Sequence, residues 1–255
     1  MNYAQLPSPH QPDTEIVMPE GQSIGGYSVG IIVINVNYPL MPGNVANAST
    51  YSFPVLIRVL EEATVDMILA GDPRLEAMII EAGHELSQKG VRAIVGACGA
   101  FANYQKAAVE AFRVPTYMSI LTQLPFILQS IRADQKVGVV AASESSLTPH
   151  ILEECGIQEP ERLLVLGAQD LPEFQKLLKC TGRFNSHTLE GELLDLVRDF
   201  VEAHPELGAL VIQCSDLPPY SWTIQNAVQL PVYDMPMLIE WLHRCVVRVP
   251  FQGYI

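Results

Sequence analysis

The chain reads VRAIVGACGAFANYQKAAVEAFRVPTYMS from residue 91 to 119 and LGALVIQCSDLPPYSWTIQNAVQLPVYDM from residue 207 to 235. Four pairs of identical residues recur at a constant offset of 116: Cys98 and Cys214, Tyr104 and Tyr220, Pro115 and Pro231, Tyr117 and Tyr233. In each copy the cysteine ends an apolar run, a helical segment follows, and the proline opens the next apolar run. VGIIV at 29–33 also resembles VGVVA at 137–141. The repeat therefore predicts two similar halves.

Short runs of Val, Ile and Leu alternate with helical segments along both halves. Strands are predicted at 29–36, 91–97, 114–119, 136–142, 163–167, 208–214 and 230–235. Helices are predicted at 51–63, 73–89, 102–112, 121–132, 147–155, 171–179, 188–203, 219–228 and 236–246. Apolar runs without polar alternation are typical of strands that are covered on both faces. The pattern therefore predicts an α/β fold with two parallel sheets related by a pseudo-two-fold axis.

The same pattern divides the chain into three parts. Residues 1–27 contain several prolines and little periodicity, which indicates an N-terminal arm. Residues 28–119 form the first α/β domain, and the final helix, within 236–255, is expected to pack back on it. Residues 120–235 form the second α/β domain.

The composition limits the partners of the protein. The 255 residues include 28 Asp and Glu against 15 Lys and Arg, a net charge of −13. Such a chain has no basic surface for the phosphates of a nucleic acid or an anionic membrane. No apolar stretch reaches the roughly 18–20 residues of a membrane helix, and the N-terminus lacks the features of a secretory signal. We therefore expect a cytoplasmic protein. A homo-oligomer is compatible with the apolar content, but the sequence does not specify one.

The five cysteines do not resemble a disulfide framework, because their number is odd and the chain is long. No CxxC pair occurs and the six histidines are scattered, so no metal site is predicted. No glycine-rich nucleotide loop follows a strand, and we expect no cofactor. Cys155, Cys180 and Cys245 have no counterpart in the repeat and are predicted to be structural.

Cys98 and Cys214 are the candidate catalytic pair. Both are predicted at the carboxyl ends of strands, where open α/β sheets bind ligands. Each also precedes a predicted helix N-terminus, a position expected to lower the pKa of a thiol towards neutrality. Across a cleft between the halves, one thiolate could remove a proton from a carbon atom and the other thiol could return one to the opposite face. This arrangement would invert a stereocentre without a cofactor.

The motifs carry a family resemblance. GACGAFANYQ (96–105), followed by VPTYMSILTQLP (114–125), resembles the first cysteine segment of the aspartate/glutamate/hydantoin racemase superfamily. QCSDLPPYSWTIQ (213–225) and LPVYD (230–234) resemble the second, in the branch that reads Cys-Thr-x-x-Pro-Pro-Tyr. NYPLMPGNVANASTYSFPV (37–55) resembles the first loop of that branch, which includes algal dimethylsulfoniopropionate lyases. The resemblance covers about residues 28–245.

The resemblance implies two flavodoxin-like domains with the active site in the cleft between them, and Cys98 and Cys214 as the acid/base pair. It implies that Gly99, Ala100 and Ser215 offer backbone N–H groups to a substrate carboxylate. The other candidate substrate-binding residues lie in the first loop, at the end of the predicted strand 114–119 and in the Ser143–Ser146 loop: Asn35, Tyr38, Pro42, Gly43, Asn44, Ser119, Ser143 and Ser145.

Two departures separate the chain from glutamate racemases. Asp216 stands where those enzymes usually have a histidine, and Asn35 and Asn37 replace an Asp-Ser pair. Several candidates also have plain structural alternatives. The asparagines could satisfy loop backbone, Ser143 and its neighbours could cap a helix, and Asp216 could be a helix N-cap or a first-turn acid. Tyr104 and Tyr220 could simply pack between the halves.

The sequence therefore favours a cofactor-independent racemase or epimerase acting on the α-carbon of a small amino acid or related carboxylate. A thiolate-initiated lyase and a decarboxylase are alternatives on the same fold. A protein that senses a ligand in a racemase-like cleft is the alternative from another class.

Overall fold

The computed structural model describes residues 21–255 and contains two four-stranded parallel sheets. The first sheet consists of β1 (Val29–Ile34), β2 (Val55–Leu60), β3 (Ala93–Gly96) and β4 (Thr116–Tyr117). The second consists of β5 (Lys136–Ala141), β6 (Leu163–Gly167), β7 (Leu207–Ile212) and β8 (Val232–Tyr233). Residues 1–20 of the predicted arm lie outside the described residues. Residues 21–28, which precede β1, form neither helix nor strand.

Nine α-helices accompany the sheets in residues 21–255. They are α1 (Val65–Ala70), α2 (Arg74–Gln88), α3 (Gln105–Ala111), α4 (Leu124–Ser130), α5 (Pro149–Glu154), α6 (Pro172–Leu178), α7 (Ser186–Ala203), α8 (Ser221–Val228) and α9 (Met235–Val246). Short 3-10 turns precede or join several of them, at Ala48–Thr50, Gly99–Tyr104, Ile120–Gln123, Glu144–Ser146, Pro160–Arg162 and Pro218–Tyr220.

The two sheets have the same topology. Their strand orders are β2-β1-β3-β4 and β6-β5-β7-β8, which is the flavodoxin-like order for four strands. Ile94 pairs with Thr116 in the first sheet, and Leu210 pairs with Val232 in the second, so the offset of 116 residues holds in the strand register. The predicted fold class is confirmed.

The main hydrophobic core is shared by the two halves. It contains Val29 and Ile31 of β1 together with Val137 and Val139 of β5, and α9 contributes Leu238 and its neighbours. Helix α9 packs against β1 and β3, as expected for a final helix that returns to the first half. Two further clusters lie within one half each. The domain limits themselves stay a prediction.

The predicted helix at 51–63 is wrong. Residues Val55–Leu60 form the edge strand β2, which runs parallel to β1. The six residues, VLIRVL, are mostly Val, Leu and Ile, and six residues is the usual length of a strand and shorter than most helices. Helix α1 was not predicted, because six residues form fewer than two helical turns and cannot show a repeating apolar pattern. It begins after the capping side chain of Thr64 and ends at Gly71, which adopts a φ of 63°.

Candidate active site

Cys98 and Cys214 each lie two residues beyond the end of a central strand, β3 and β7 respectively. Both line one cavity of about 60 Å³ between the halves. Tyr38, Asn44 and Ser215 line it as well, so five of the predicted site residues share one chamber. The chemistry that these side chains support depends on how each thiol is surrounded.

The two thiols have matching backbone contacts. The N–H of Ala100 donates to the sulfur of Cys98, and the N–H of Asp216 donates to the sulfur of Cys214. These contacts favour the thiolate, but burial outweighs them. Burial raises the pKa of Cys98 to about 11 and raises the pKa of Cys214 well above its usual range, and the charge of Asp216 adds to both shifts.

The expectation of a lowered thiol pKa is therefore wrong. Cys98 precedes only the 3-10 turn Gly99–Tyr104, and three residues separate Cys214 from the turn Pro218–Tyr220. Neither thiol faces the first turn of a long α-helix, whose dipole would favour the anion. Both are expected to be protonated at neutral pH in the free protein.

Asp216 is the centre of a polar network beside Cys214. The Tyr38 hydroxyl lies 3.0 Å from both carboxylate oxygens, and Asn44 Nδ2 donates to Oδ1 at 2.7 Å. The Cys214 thiol donates to Oδ2 at 3.8 Å. Burial raises the pKa of Asp216, while these three donors oppose the rise. Burial also raises the pKa of Tyr38, which keeps its hydroxyl a donor.

This network exists on one side of the pseudo-two-fold axis only. The offset of 116 residues aligns Asp216 with Ala100, which has no side-chain acceptor to offer Cys98. In the sequence Asp216 is visible only as a departure from histidine, and nothing there places it in the site. Its Tyr38 and Asn44 partners lie more than 170 residues away in the chain, so no local pattern could reveal the network.

The first loop crosses from the first half to the second. Thr50 Oγ1 accepts from the N–H of Gly43 and donates to the carbonyl of Asn44, which fixes the loop near its tip. Gly43 has a φ of +99°, and a Cβ there would lie 2.7 Å from the Cα of Pro219. Gly43 thus lets the loop approach the second half, while Tyr38 and Asn44 enter the cavity.

The remaining predicted residues do not line the cavity. Asn35 is exposed and donates to the carbonyl of Glu61. Ser143 forms a capping box with Ser146, as in the plain alternative. Ser119 is buried and caps the turn after β4. Their binding roles stay predictions, as do those of the other residues outside the lining: Pro42, Gly43, Gly99, Ala100 and Ser145.

Tyr104 and Tyr220 bond within their own halves. The Tyr104 hydroxyl donates to the carbonyl of Asp72, and the Tyr220 hydroxyl pairs with Ser186. Each ring belongs to the core cluster of its own half. Packing within a half, rather than between the halves, therefore accounts for this repeated pair.

Apolar side chains form most of the cavity wall, and the sequence did not single them out: Val33, Ile34, Val36, Leu40, Ala46, Val65, Ile68, Leu69, Ala97, Ala142, Leu177 and Leu178. Three of them come from α1, the helix that was missed. Among the described residues no Lys, Arg or His lines the cavity, so its ionisable lining groups are Asp216, Tyr38 and the two thiols.

The part of the chain from residue 21 onward contains no group of three or more His, Cys, Asp or Glu side chains that could hold a metal ion. In the same residues no helix is both long and apolar enough to span a bilayer.

The chain is similar to known proteins in sequence and in fold. It is 28% identical over 242 residues to dimethylsulfoniopropionate lyase 3 of Emiliania huxleyi strain CCMP1516, a match that covers 91% of this chain and 61% of the lyase. The chain thus spans about three-fifths of the length of that curated relative. No protein-family model matches the sequence.

Two solved structures share the fold. Arylmalonate decarboxylase superposes with a TM-score of 0.55 at 15% identity, covering 87% of this chain and 92% of the decarboxylase. An aspartate racemase homologue from Pyrococcus horikoshii OT3 gives a TM-score of 0.54 at 15% identity, covering 86% and 98%. The resemblance that the cysteine motifs indicated is confirmed in both fold and sequence.

Proposed function

We propose that the chain is an enzyme of the racemase, decarboxylase and lyase kind, and that it eliminates a β-substituent from a small carboxylate. The sulfur of Cys214 would take the proton from the α-carbon. The observation that carries this proposal is the hydrogen bond from Cys214 to the half-buried carboxylate of Asp216, which has no equivalent beside Cys98 among the described residues. Because only one thiol has an adjacent proton acceptor, the site suits an elimination that uses one base better than a racemisation that uses two equivalent bases.

The pair of Cys214 and Asp216 can form a thiolate without a change in the charge of the cavity. Together the two groups hold one proton and one negative charge. Transfer of the proton from sulfur to the carboxylate Oδ2 leaves a thiolate beside a neutral acid. Burial raises the pKa of Asp216, which makes this carboxylate a stronger proton acceptor than an exposed one. The two groups therefore titrate as one unit.

The elimination then balances without a further reactant. The thiolate takes the α-proton, and the electron pair of the broken C–H bond becomes the second bond between the α- and β-carbons. The bond from the β-carbon to the leaving group breaks, and the group departs with its electron pair. The Cys98 thiol and the Ser215 hydroxyl line the same cavity and can donate to the carboxylate on which charge develops.

Dimethylsulfoniopropionate fits this chemistry, and it is the substrate in the name of the similar lyase. It carries a carboxylate and a sulfonium, which would leave as neutral dimethyl sulfide and give acrylate. A cavity with the acid Asp216 and, among the described residues, no basic side chain is compatible with a cationic leaving group. The small volume of the cavity also favours a compact substrate.

Racemisation of a small amino acid is the second candidate, because both thiols line one cavity. In that reaction Cys98 would return a proton to the face opposite Cys214. Racemisation therefore requires Cys98 as a proton donor, whereas elimination does not.

The decisive experiment follows the products of the wild type, Cys214→Ser, Cys98→Ser and Asp216→Asn. With dimethylsulfoniopropionate we expect acrylate and dimethyl sulfide, measured by liquid and headspace gas chromatography. Cys214→Ser and Asp216→Asn should lose on the order of 10²-fold or more in kcat, whereas Cys98→Ser should retain measurable elimination. The residual activity of Asp216→Asn should shift to higher pH, because Cys214 then ionises without an acceptor.

Proton NMR in deuterated water tests the second candidate on amino acids and hydantoins. Deuterium at the α-carbon together with formation of the opposite enantiomer, without an alkene and lost in both cysteine variants, would establish racemisation and contradict the lyase. Circular dichroism of each variant checks that the fold is retained.

A further inference from the structure

The pseudo-two-fold axis relates two pairs of residues that flank the cysteines. At the offset of 116, Ala97 corresponds to Gln213, and Gly99 corresponds to Ser215. Ala97 and Ser215 both line the cavity, whereas Gln213 and Gly99 do not. The chamber between the cysteines is therefore open on one side of the axis and closed on the other.

The Gln213 side chain closes that other side. It is 4% exposed. A methyl group on the Cα of Gly99 would overlap with Cδ and Nε2 of Gln213, so the amide lies directly against the glycine backbone. Gln213 thus occupies the space that a side chain at position 99 would need, and it reaches from the second half to the loop that follows Cys98.

Packing holds this amide in place. Within residues 21–255 the side chain of Gln213 makes no hydrogen bond, although its backbone N–H donates to the carbonyl of Val140. Buried amides usually have a polar partner, and an apolar side chain of the same length would fill the space equally well. The visible role of Gln213 is therefore its volume.

We propose that Gln213 determines substrate size by filling one of two pseudo-equivalent lobes of the chamber. The open lobe, beside Ala97 and Ser215, admits a compact carboxylate. With alanine at position 213, as at the equivalent position 97, the second lobe opens beside Gly99 and accepts an aryl-sized substituent. The proposal deepens the function proposed above and rests on it for the class of the ligand.

The first test measures binding of two unreactive carboxylates, propionate and 3-phenylpropionate, by isothermal titration calorimetry. Gln213→Ala should bind 3-phenylpropionate at least about tenfold more tightly than the wild type does, as expected when apolar surface gains a fitting pocket. Gln213→Met is the matched control, because it keeps the length of the side chain and removes the amide. It should exclude 3-phenylpropionate as the wild type does.

Two results would overturn the proposal. One is a Gln213→Ala variant that binds 3-phenylpropionate no better than the wild type, including no binding at all. The other is a Gln213→Met variant that gains the same affinity, since the amide and not the volume would then be responsible. Neither measurement uses turnover, so a failure of the elimination reaction is distinguishable from a failure of this proposal.

The second test examines the contact itself by thermal unfolding. Gly99→Ala should lower the Tm of the wild type by about 4 °C or more, because the new methyl group overlaps with Gln213. In the Gln213→Ala background the same change should cost less than about 2 °C. An equal loss in both backgrounds would show that Gln213 does not fill this space.

Discussion

Cys98 and Cys214 are equivalent in sequence but not in surroundings. Burial raises the pKa of both thiols, and within residues 21–255 only Cys214 has a carboxylate within hydrogen-bond distance. The repeat could predict that the two sulfurs face one chamber, since strand ends and offsets are visible in the sequence. It could not predict the direction of the pKa shifts, because burial depends on how the two halves close around the cavity.

Thiol alkylation tests these shifts. Because a raised pKa leaves little thiolate at pH 7, we expect slow reaction of Cys98 and Cys214 with iodoacetamide, rising roughly tenfold per pH unit between pH 7 and 9. Cys98 should react first, since it is partly exposed and Cys214 is buried. The Cys245→Ser variant removes the exposed thiol, and peptide mass spectrometry resolves the others. Rapid, pH-independent labelling of Cys98 at pH 7 would contradict the raised pKa.

The same shift has a consequence for stability. A folded-state pKa of about 11 for Cys98 lies above the ordinary thiol value, so folding favours the protonated form. This contribution is complete below about pH 8.5 and is lost as the pH rises towards 11.

At the scale of elements, the first loop completes the site by crossing to the second half. Its fit requires a residue without a side chain at position 43, because the φ of +99° is left-handed and Pro219 is 2.7 Å from the Cβ position. Tyr38 and Asn44 then reach Asp216. The backbone of this loop and the polar network are therefore coupled.

Gly43→Ala should displace the loop and separate Tyr38 and Asn44 from Asp216. We expect a loss of kcat of at least about tenfold on whichever substrate the wild type converts, since misplacement by about 1 Å is costly in an active site. Gly191→Ala is the matched control, because Gly191 lies within α7 and has no atom near its Cβ position. That change should raise the free energy of unfolding by up to about 1 kcal/mol and leave kcat unaltered. Equal kcat in the two variants would contradict the role of the loop.

The internal repeat contains enough information to predict strand β2. Val29 pairs with Val55, and Val137 pairs with Leu163, so one offset of 108 residues relates both the first strands and their edge partners. The similarity of 29–33 to 137–141 already indicated that offset. Subtracting the same offset of 108 from the predicted strand at 163–167 places a strand at 55–59, where a helix was predicted. Helix α1 had no such signal, because its six residues form fewer than two turns and cannot show a repeating apolar pattern.

At the scale of the whole molecule, we expect the shared core to join the two halves into one folding unit. Residues of β1, β5 and α9 belong to the same cluster, so neither half buries its inner face alone. The sequence predicted the halves and the return of the last helix. It could not show that one core crosses between them, because the contacts join residues that are more than 100 positions apart.

Leu238→Ala tests this cooperation. Leu238 is fully buried in the shared core on α9, so its truncation should lower the free energy of unfolding by about 2–5 kcal/mol. Met237→Ala is the control on the same helix, since Met237 is exposed and should cost less than about 1 kcal/mol. Hydrogen exchange should show the amides of β1 and β5 losing protection by the same amount in Leu238→Ala. If protection falls in β1 alone, the halves unfold separately, and the cavity between them depends on docking of two independent domains.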